Sequence, residues 1–513
     1  MACVGVFVGY LPVTTVSVSL PAIQRALHAS TAELSWVSDA FVLPMAALIL
    51  TAGVFGDVHG RRKVFLAGLL CSAAGAAIAL SAGSVEVLWV GQAVSGTGAA
   101  ALLPTTLALI SHAIPDPRER GKFVGLWAVS LMGALTLGPV LAGLTLEHFA
   151  WRWIYLLPIP ASLLAAVLVA RFVPDSRAPG TRRLDWPGQI SAAVTITALV
   201  YGVIEGGAGS FTDTKVVVAL TLAALGAAVF VLAERRGASP MLDLNLFRSP
   251  AFTATTLVAM ISFLGLIGFF FALSLYFGMV QQLTTLEAAG RVVLITLSAI
   301  LVSQPASRLM HRWSPRLLIT GGLMITAASL LTLTTLDAHT SYGSLAWRLA
   351  LLGAGLGFVI TPMTATAVAS VPHHLAGMAA AGNNAFRQVG GALGPAVLGA
   401  VLSRKAAGAL PGRLADAGVS EATARRIGAA VDEGGLGAVA RLNLGPERGR
   451  ALGALSEAFL SGLHLCLVIA AVLTALAALV AAVLLRRPRS SGPASTKVAG
   501  SPAQAPAETS TAV

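Results

Sequence analysis

Apolar runs of about 17–25 residues, each long enough to cross a bilayer as a helix, follow one another along the whole chain. They fall near 2–24, 37–56, 64–83, 87–110, 123–146, 154–173, 188–206, 214–233, 252–277, 287–307, 316–336, 345–370, 383–403 and 458–485. Most charged residues fall in the connections between them. The pattern predicts an all-α integral membrane protein with about fourteen spans. The first run has no basic stretch before it and no plausible cleavage site before Arg25, so it reads as a retained span rather than a leader.

Composition agrees. The chain of 513 residues is 56% hydrophobic and 11% charged, with a mean hydropathy of +0.82; a soluble protein carries about a quarter charged residues. A net charge of +12 raises nucleic acid as a partner. The distribution excludes it, because the basic residues form short clusters between apolar runs and no basic soluble face exists. Arg61, Arg62 and Lys63; Arg118, Arg120 and Lys122; Arg171, Arg177, Arg182 and Arg183; Arg235, Arg236 and Arg248; Arg308, Arg312 and Arg316; and Arg486, Arg487 and Arg489 all fall on alternate connections. The other side has few, such as Arg25, Arg152 and Lys215. The positive-inside rule then puts both termini in the cytoplasm of a cell with this protein in its plasma membrane. The long connection 404–457 is expected outside, with a short surface helix opened by Ser420 and running from Glu421 through Val431. The Ser/Pro/Ala-rich tail 486–513 is expected to be disordered. Cys3, Cys71 and Cys466 lie in apolar runs and read as small buried hydrophobes. No metal ligand set is visible; His373-His374 stands alone. The partners expected are lipid and a small molecule, with the chain a monomer.

An internal repeat organises the spans. The turn Gly53-Val-Phe-Gly-Asp-Val-His-Gly-Arg-Arg-Lys63 has a weaker copy in Ser307–Arg316, with His311 at the Asp57 position. Gly96 and Gly98 recur as Gly353 and Gly355, with Pro104 and Pro362 downstream. The stretch Gly133-Ala-Leu-Thr-Leu-Gly-Pro139 recurs as Gly391-Ala-Leu-Gly-Pro395. Three copies in the same order and at nearly the same spacing imply two related halves. The division is 1–173 for an N-terminal six-helix half, 174–250 for two inserted helices and linkers, and 251–485 for a C-terminal six-helix half.

The turn at 53–63 is a glycine-rich hinge between two spans. Gly53, Gly56 and Gly60 permit a sharp reversal, and Asp57 can pair with Arg61, Arg62 or lipid head groups. Read blandly, it is an ordinary positive-inside loop. Read sharply, it resembles the loop between helices two and three of the major facilitator superfamily, Gly-x-Leu-x-Asp-Arg-x-Gly-Arg-Arg/Lys, with Phe55 for the Leu and Val58 for the Arg. In span five, Gly125, Gly133, Gly138, Pro139 and Gly143 combine a helix bend with small residues that let a neighbour approach. Ordinary close packing is one account of them. They also resemble the superfamily's antiporter signature, Gly-x4-Gly-Pro-x2-x-Gly. Trp36–Phe41, Trp151–Tyr155, Tyr201–Gly206, Pro240–Arg248 and Arg387–Gly394 extend the resemblance to the fourteen-helix drug:proton antiporter branch, the EmrB/QacA type, across about residues 10–485. The fold so implied is a major facilitator fold of two six-helix halves plus two inserted helices.

Several positions depart from that pattern. The acidic residue of span one is Pro12, with Ser17 for an Asn. The arginine of span four is Gln92, with Ser95 for a Gln, and Pro158 replaces an Asn. Two groups that the resemblance links to proton coupling are therefore absent. The remaining acidic candidates are Asp39, Glu205 and Glu287, since a charge within a span usually marks a pathway. Asp39 reads either as a coupling carboxylate facing the outward half of the path or as a helix cap. Glu205 and Glu287 lie near span ends, where solvated interface is the simpler reading. On span thirteen Asn383, Asn384, Arg387 and Gln388 suggest a cavity lining, Arg387 alternatively being a snorkelling anchor. Gln92 joins Asn384, Arg387 and Gln388 as a cavity candidate.

No catalytic constellation and no phosphate-binding Gly-x4-Gly-Lys-Ser/Thr occurs, which argues against an enzyme and an ATP-driven pump. The expectation is export of small amphiphilic compounds, such as drugs or antibiotics, in exchange for protons, with no cofactor beyond the proton gradient. A facilitator or proton symporter of the same fold and a transport-inactive sensor or scaffold are the alternatives.

Overall fold

The computed structural model of the protein describes residues 1–114, 117–175, 185–237, 240–310, 312–372, 375–434 and 436–485. Arg177, Arg182, Arg183, His311, His373, His374 and the tail expected to be disordered lie outside the described residues, as do the side chains of Asp57, Arg118, Arg120 and Lys122.

The described residues form no strand. They build α1 (Ala2–Leu27), α2 (Thr31–His59), α3 (Arg61–Leu80), α4 (Val85–Ala113), α5 (Pro117–His148), α6 (Pro158–Phe172), α7 (Trp186–Ala208), α8 (Thr214–Arg236), α9 (Pro250–Leu275), α10 (Thr285–Leu309), α11 (Pro315–Leu333), α12 (Tyr342–Ala369), α13 (Ala376–Asp416), α14 (Glu421–Gly434) and α15 (Arg448–Leu484). Among the described residues 14 helices are long and apolar enough to cross a membrane, and α14 is not one of them.

Caps set the helix starts. Ser30 and Glu33 exchange hydrogen bonds at the head of α2 (3.2 and 2.6 Å), and Thr284 and Glu287 do the same for α10 (3.3 and 2.9 Å). Asp185, Ser249 and Ser314 cap α7, α9 and α11, each with proline in the first turn. The predicted surface helix after Ser420 is α14. The connection 404–457 is shorter than the sequence suggested, because α13 runs on to Asp416 and α15 begins at Arg448. Arg404 and Lys405 end the apolar run but not the helix, since the alanines that follow favour its continuation.

The internal repeat reappears as equivalent contacts. A Cβ at Gly98 would meet Ser72 and the Gly68 carbonyl; at Gly355 it would meet Thr326 and the Gly322 carbonyl. Gly96 abuts the Phe41 carbonyl as Gly353 abuts that of Ile295. Gly138 abuts Thr14 as Gly394 abuts Gly268. Thus α4 packs on α2 and α3, and α5 on α1, in the same way as α12 packs on α10 and α11, and α13 on α9.

The halves meet along α5 and α10, α2 and α13, and α1 and α9. At the end bearing the α13–α14–α15 connection, one apolar cluster runs through both halves, joining Leu20, Ile23 and Leu34 to Phe271, Tyr276 and Leu402. At the opposite end, where α2 turns into α3, the core is divided. Val8, Phe65, Leu69 and Val169 form one cluster in the first half, and Val258, Ile319, Leu323 and Met363 another in the second. A further cluster joins Tyr10, Phe41, Val42 and Ile49 of the first half to Ala385, Ala392 and Ala396 of α13, so the halves are in apolar contact along their length. Between the halves, α7 packs on α2 and α13, while α8 turns Val218, Leu222, Leu225 and Val229 outward.

Candidate functional site

The hinge is tied to its own half. Gly60 has φ 113°, a conformation only glycine takes without strain. The Arg62 amide donates to Asp175 Oδ1 (3.3 Å), its guanidinium donates to the Ala170 carbonyl at the end of α6, and Arg61 donates to the Ala108 carbonyl of α4 (3.5 Å). A side chain at Gly60 would meet the Asp175 carboxylate. Gly56 lies against Thr105 and Gly53 against Pro104, which sets α2 close on α4. Asp175 carries no motif around it and is visible only once α6 is placed beside the turn.

Gly133, Gly138 and Gly143 of α5 do not share a seam. Five residues correspond to about 140° around a helix, so each points a different way. A Cβ at Gly138 would overlap the Thr14 hydroxyl and come within 3.2 Å of the Thr15 amide of α1, inside the same half. At Gly143 it would lie 2.6 Å from Leu286 Cα of α10, across the junction of the halves. Gly133 faces open space, which corrects its grouping with the other two. Pro139 is buried between them.

A cavity of about 20 Å³ lies where the halves meet, lined by Tyr10, Met45, Leu135, Phe263, Phe270 and Gln388 among others. Gln388 reaches from α13 to donate to the Tyr10 hydroxyl (3.4 Å) and contacts Met45 Sδ (3.3 Å). Arg387 donates to Asn384 Oδ1 (2.5 Å) and sits 4.9 Å above the Phe263 ring. Its Nε is buried without a partner. Asn383 is turned aside to the Thr255 carbonyl (3.2 Å). Asn384 and Arg387 thus form a polar group against the Phe263 ring, next to the cavity-lining Gln388.

Gln92 is not part of that group. It is 1% exposed and donates to the Val37 carbonyl (3.1 Å), so it fastens α4 to α2. It lines a separate cavity of about 10 Å³ within the first half, together with Pro12, Ser72, Ser95, Tyr155 and Pro158. The departures at 12, 92, 95 and 158, scattered over the sequence, therefore surround one spot. None carries a charge there, and the Ser72 and Tyr155 hydroxyls beside them are buried without partners.

Asp39 is fully buried, and neither carboxylate oxygen has a hydrogen-bond partner. It is not a cap, because Ser30 holds that role two turns earlier. Residues 35, 39 and 42 share a helix face. Ser35 Oγ lies 3.5 Å from the Pro395 carbonyl and Val42 beside Gly391, so this face packs against α13. Asp39 therefore lies in the seam between halves rather than on an outward-facing surface. Trp36, one turn away, is tilted against Trp89 and Tyr201 (6.3 and 6.1 Å). Glu287 is engaged as the exposed cap of α10. Glu205 is half-buried near the end of α7. Among the described residues no group of three or more His, Cys, Asp or Glu is placed to hold a metal.

Two related six-helix halves with two extra spans thus enclose a small cavity where they meet. The sequence matches the Major Facilitator Superfamily over residues 2–395, and the chain belongs to that family. It is 33% identical over 399 residues to the multidrug resistance protein Stp of Mycobacterium tuberculosis, covering 78% of this chain and 74% of that protein. It is 32% identical over 485 residues to the tetracenomycin C resistance and export protein of Streptomyces glaucescens, covering 93% and 89%. The multidrug efflux pump LfrA of Mycolicibacterium smegmatis is 31% identical over 481 residues, covering 92% and 93%. Among solved structures, a bacterial homolog of the human lysosomal transporter Spinster, inward-facing and unoccupied, superposes with a TM-score of 0.62 at 15% identity over 94% of this chain and 95% of that one. The human organic anion transporter MFSD10 gives 0.60 at 15% identity, covering 94% and 99%.

Proposed function

We propose that this protein exports small amphiphilic organic compounds from the cytoplasm in exchange for protons, with Asp39 as the proton-binding group. The observation that carries the reading is the unpartnered Asp39 carboxyl, fully buried in the α2–α13 seam. An isolated carboxylate is costly there, and taking up a proton removes the cost. The group thus favours the seam when protonated and favours its opening when ionised, which couples proton binding to the movement of one half against the other. Glu287 is occupied in capping, which leaves Glu205 as the other acidic candidate.

The cavity supports an amphiphilic cargo. Phe263, Phe270, Tyr10 and Met45 supply apolar surface, and Gln388 supplies a polar contact. Its small size suits a state with no cargo bound. Residues 1–173 and 251–485 act as the two rocking bodies in this account. In this account the hinge end faces the cytoplasm and the end with α14 lies outside. Its relatives named as multidrug resistance and export proteins support this direction. The protein works in the plasma membrane as a monomer.

A facilitator is the second reading. The neutral set Pro12, Gln92, Ser95 and Pro158 supports it, because one cavity has lost its charged groups together. Uptake of a fluorescent amphiphilic dye into inverted vesicles separates the two. Accumulation that requires a proton gradient fits the antiporter; equilibration that ignores the gradient fits the facilitator.

A further inference from the structure

A second pair of carboxyls lies away from the central cavity, where the inserted helices meet the linker. Asp185 caps α7 through Oδ1, which accepts from the Gly188 amide (2.9 Å). Glu234, in the last turn of α8, accepts from the Leu242 amide through Oε2 (3.1 Å). That leaves Asp185 Oδ2 and Glu234 Oε1, and both are buried without a partner. Glu234 is only 4% exposed. The two free oxygens converge on the empty side of Gly188: a Cβ there would overlap Asp185 Oδ2 and lie 3.1 Å from Glu234 Oε1. No basic group pairs with either among the described residues. Arg235 and Arg236 point outward, Asp243 turns to Asn245, and the face of α2 that packs here offers Ala47 and Thr51.

We propose that Asp185 and Glu234 form an acid–carboxylate pair that holds one proton, a proton site distinct from Asp39, and that this proton latches the linker to the inserted helices. Two carboxylates that converge in a buried spot repel each other when both are ionised, and one proton held by the pair relieves that repulsion.

The neighbourhood gives the latch a function. Leu242, held by Glu234, packs with Phe252, Ala367 and Ala379 of the C-terminal half. Its neighbour Met241 contacts Thr51 of α2, and Thr51 also bonds Gln189, the residue after Gly188. Gln189 in turn donates to the Ala47 carbonyl (2.8 Å). The linker is therefore gripped by α2, α7 and α8 at the hinge end, where the halves must part and close. Loss of the proton places two like charges around Gly188 and loosens that grip.

Infrared pH titration of the purified full-length protein tests this, in a background with Asp39→Asn so that Asp39 does not contribute. Expected is a deuterium-sensitive carboxyl carbonyl band that disappears with Glu234→Gln. In Asp185→Asn, whose amide still caps α7, its midpoint should move to lower pH by about one unit or more, because the like charge is gone. A band that survives Glu234→Gln, or a midpoint that Asp185→Asn leaves in place, overturns the shared proton. Hydrogen exchange of 240–249 gives a second readout. Wild type should lose protection relative to Glu234→Gln as the band titrates, and equal protection at every pH overturns the latch.

Discussion

Gly138 of α5 lies so close to Thr14 of α1 that one methyl group at position 138 would overlap the threonine hydroxyl. The contact repeats between Gly394 and Gly268 in the other half, so the α1–α5 and α9–α13 pairs are each packed at backbone distance.

Gly138→Leu should therefore insert normally yet lose efflux. Overpacking costs about 1–3 kcal/mol, which a large bundle tolerates, but the α1–α5 geometry shifts beside the central cavity. Gly133→Leu, which enters open space, should retain efflux. Dye efflux from cells with matched membrane levels checks both; equal behaviour of the two variants contradicts the assignment of faces.

Much of this was legible in the chain. Apolar runs gave the spans because membrane helices must be apolar over their whole length. The repeated glycines marked the contacts at Gly96, Gly98 and Gly138 because backbone approach leaves few other choices. Positions set by rotation about a helix axis were less legible. Gly133 shares the spacing of Gly138 but not its face. Asp39 reads as a cap only until Ser30 is seen to be the cap. Gln92 and Arg387 look alike as polar residues in spans, yet one fastens helices inside a half and the other lies over the ring of Phe263, a residue of the cavity wall. The convergence of Pro12, Gln92, Ser95 and Pro158, and the docking of Asp175 against Gly60, depend on contacts between segments far apart in sequence.

Topology is tested at Gly418, in the turn after α13, where φ is 64° and the helix has ended. A protease site inserted there should be cleaved by protease added to intact cells. Protection at Gly418, with cleavage only after lysis, would reverse the proposed orientation.

Gln388 joins α13 to Tyr10 of α1 at the cavity wall. A hydrogen bond is worth about 0.5–1.5 kcal/mol, so Gln388→Ala should weaken cargo binding by up to about tenfold. Direct binding titrations on purified protein should show the change for cargo with polar groups and little for wholly apolar cargo. Unchanged affinity for both would remove Gln388 from the binding site.

The central claim is that Asp39 binds the driving proton, and Asp39→Asn in proteoliposomes tests it most directly. Asparagine preserves size but cannot take up and release a proton. The account predicts that gradient-driven dye transport disappears while dye exchange across the membrane without a gradient continues. Gradient-driven transport at the wild-type rate by Asp39→Asn would contradict it.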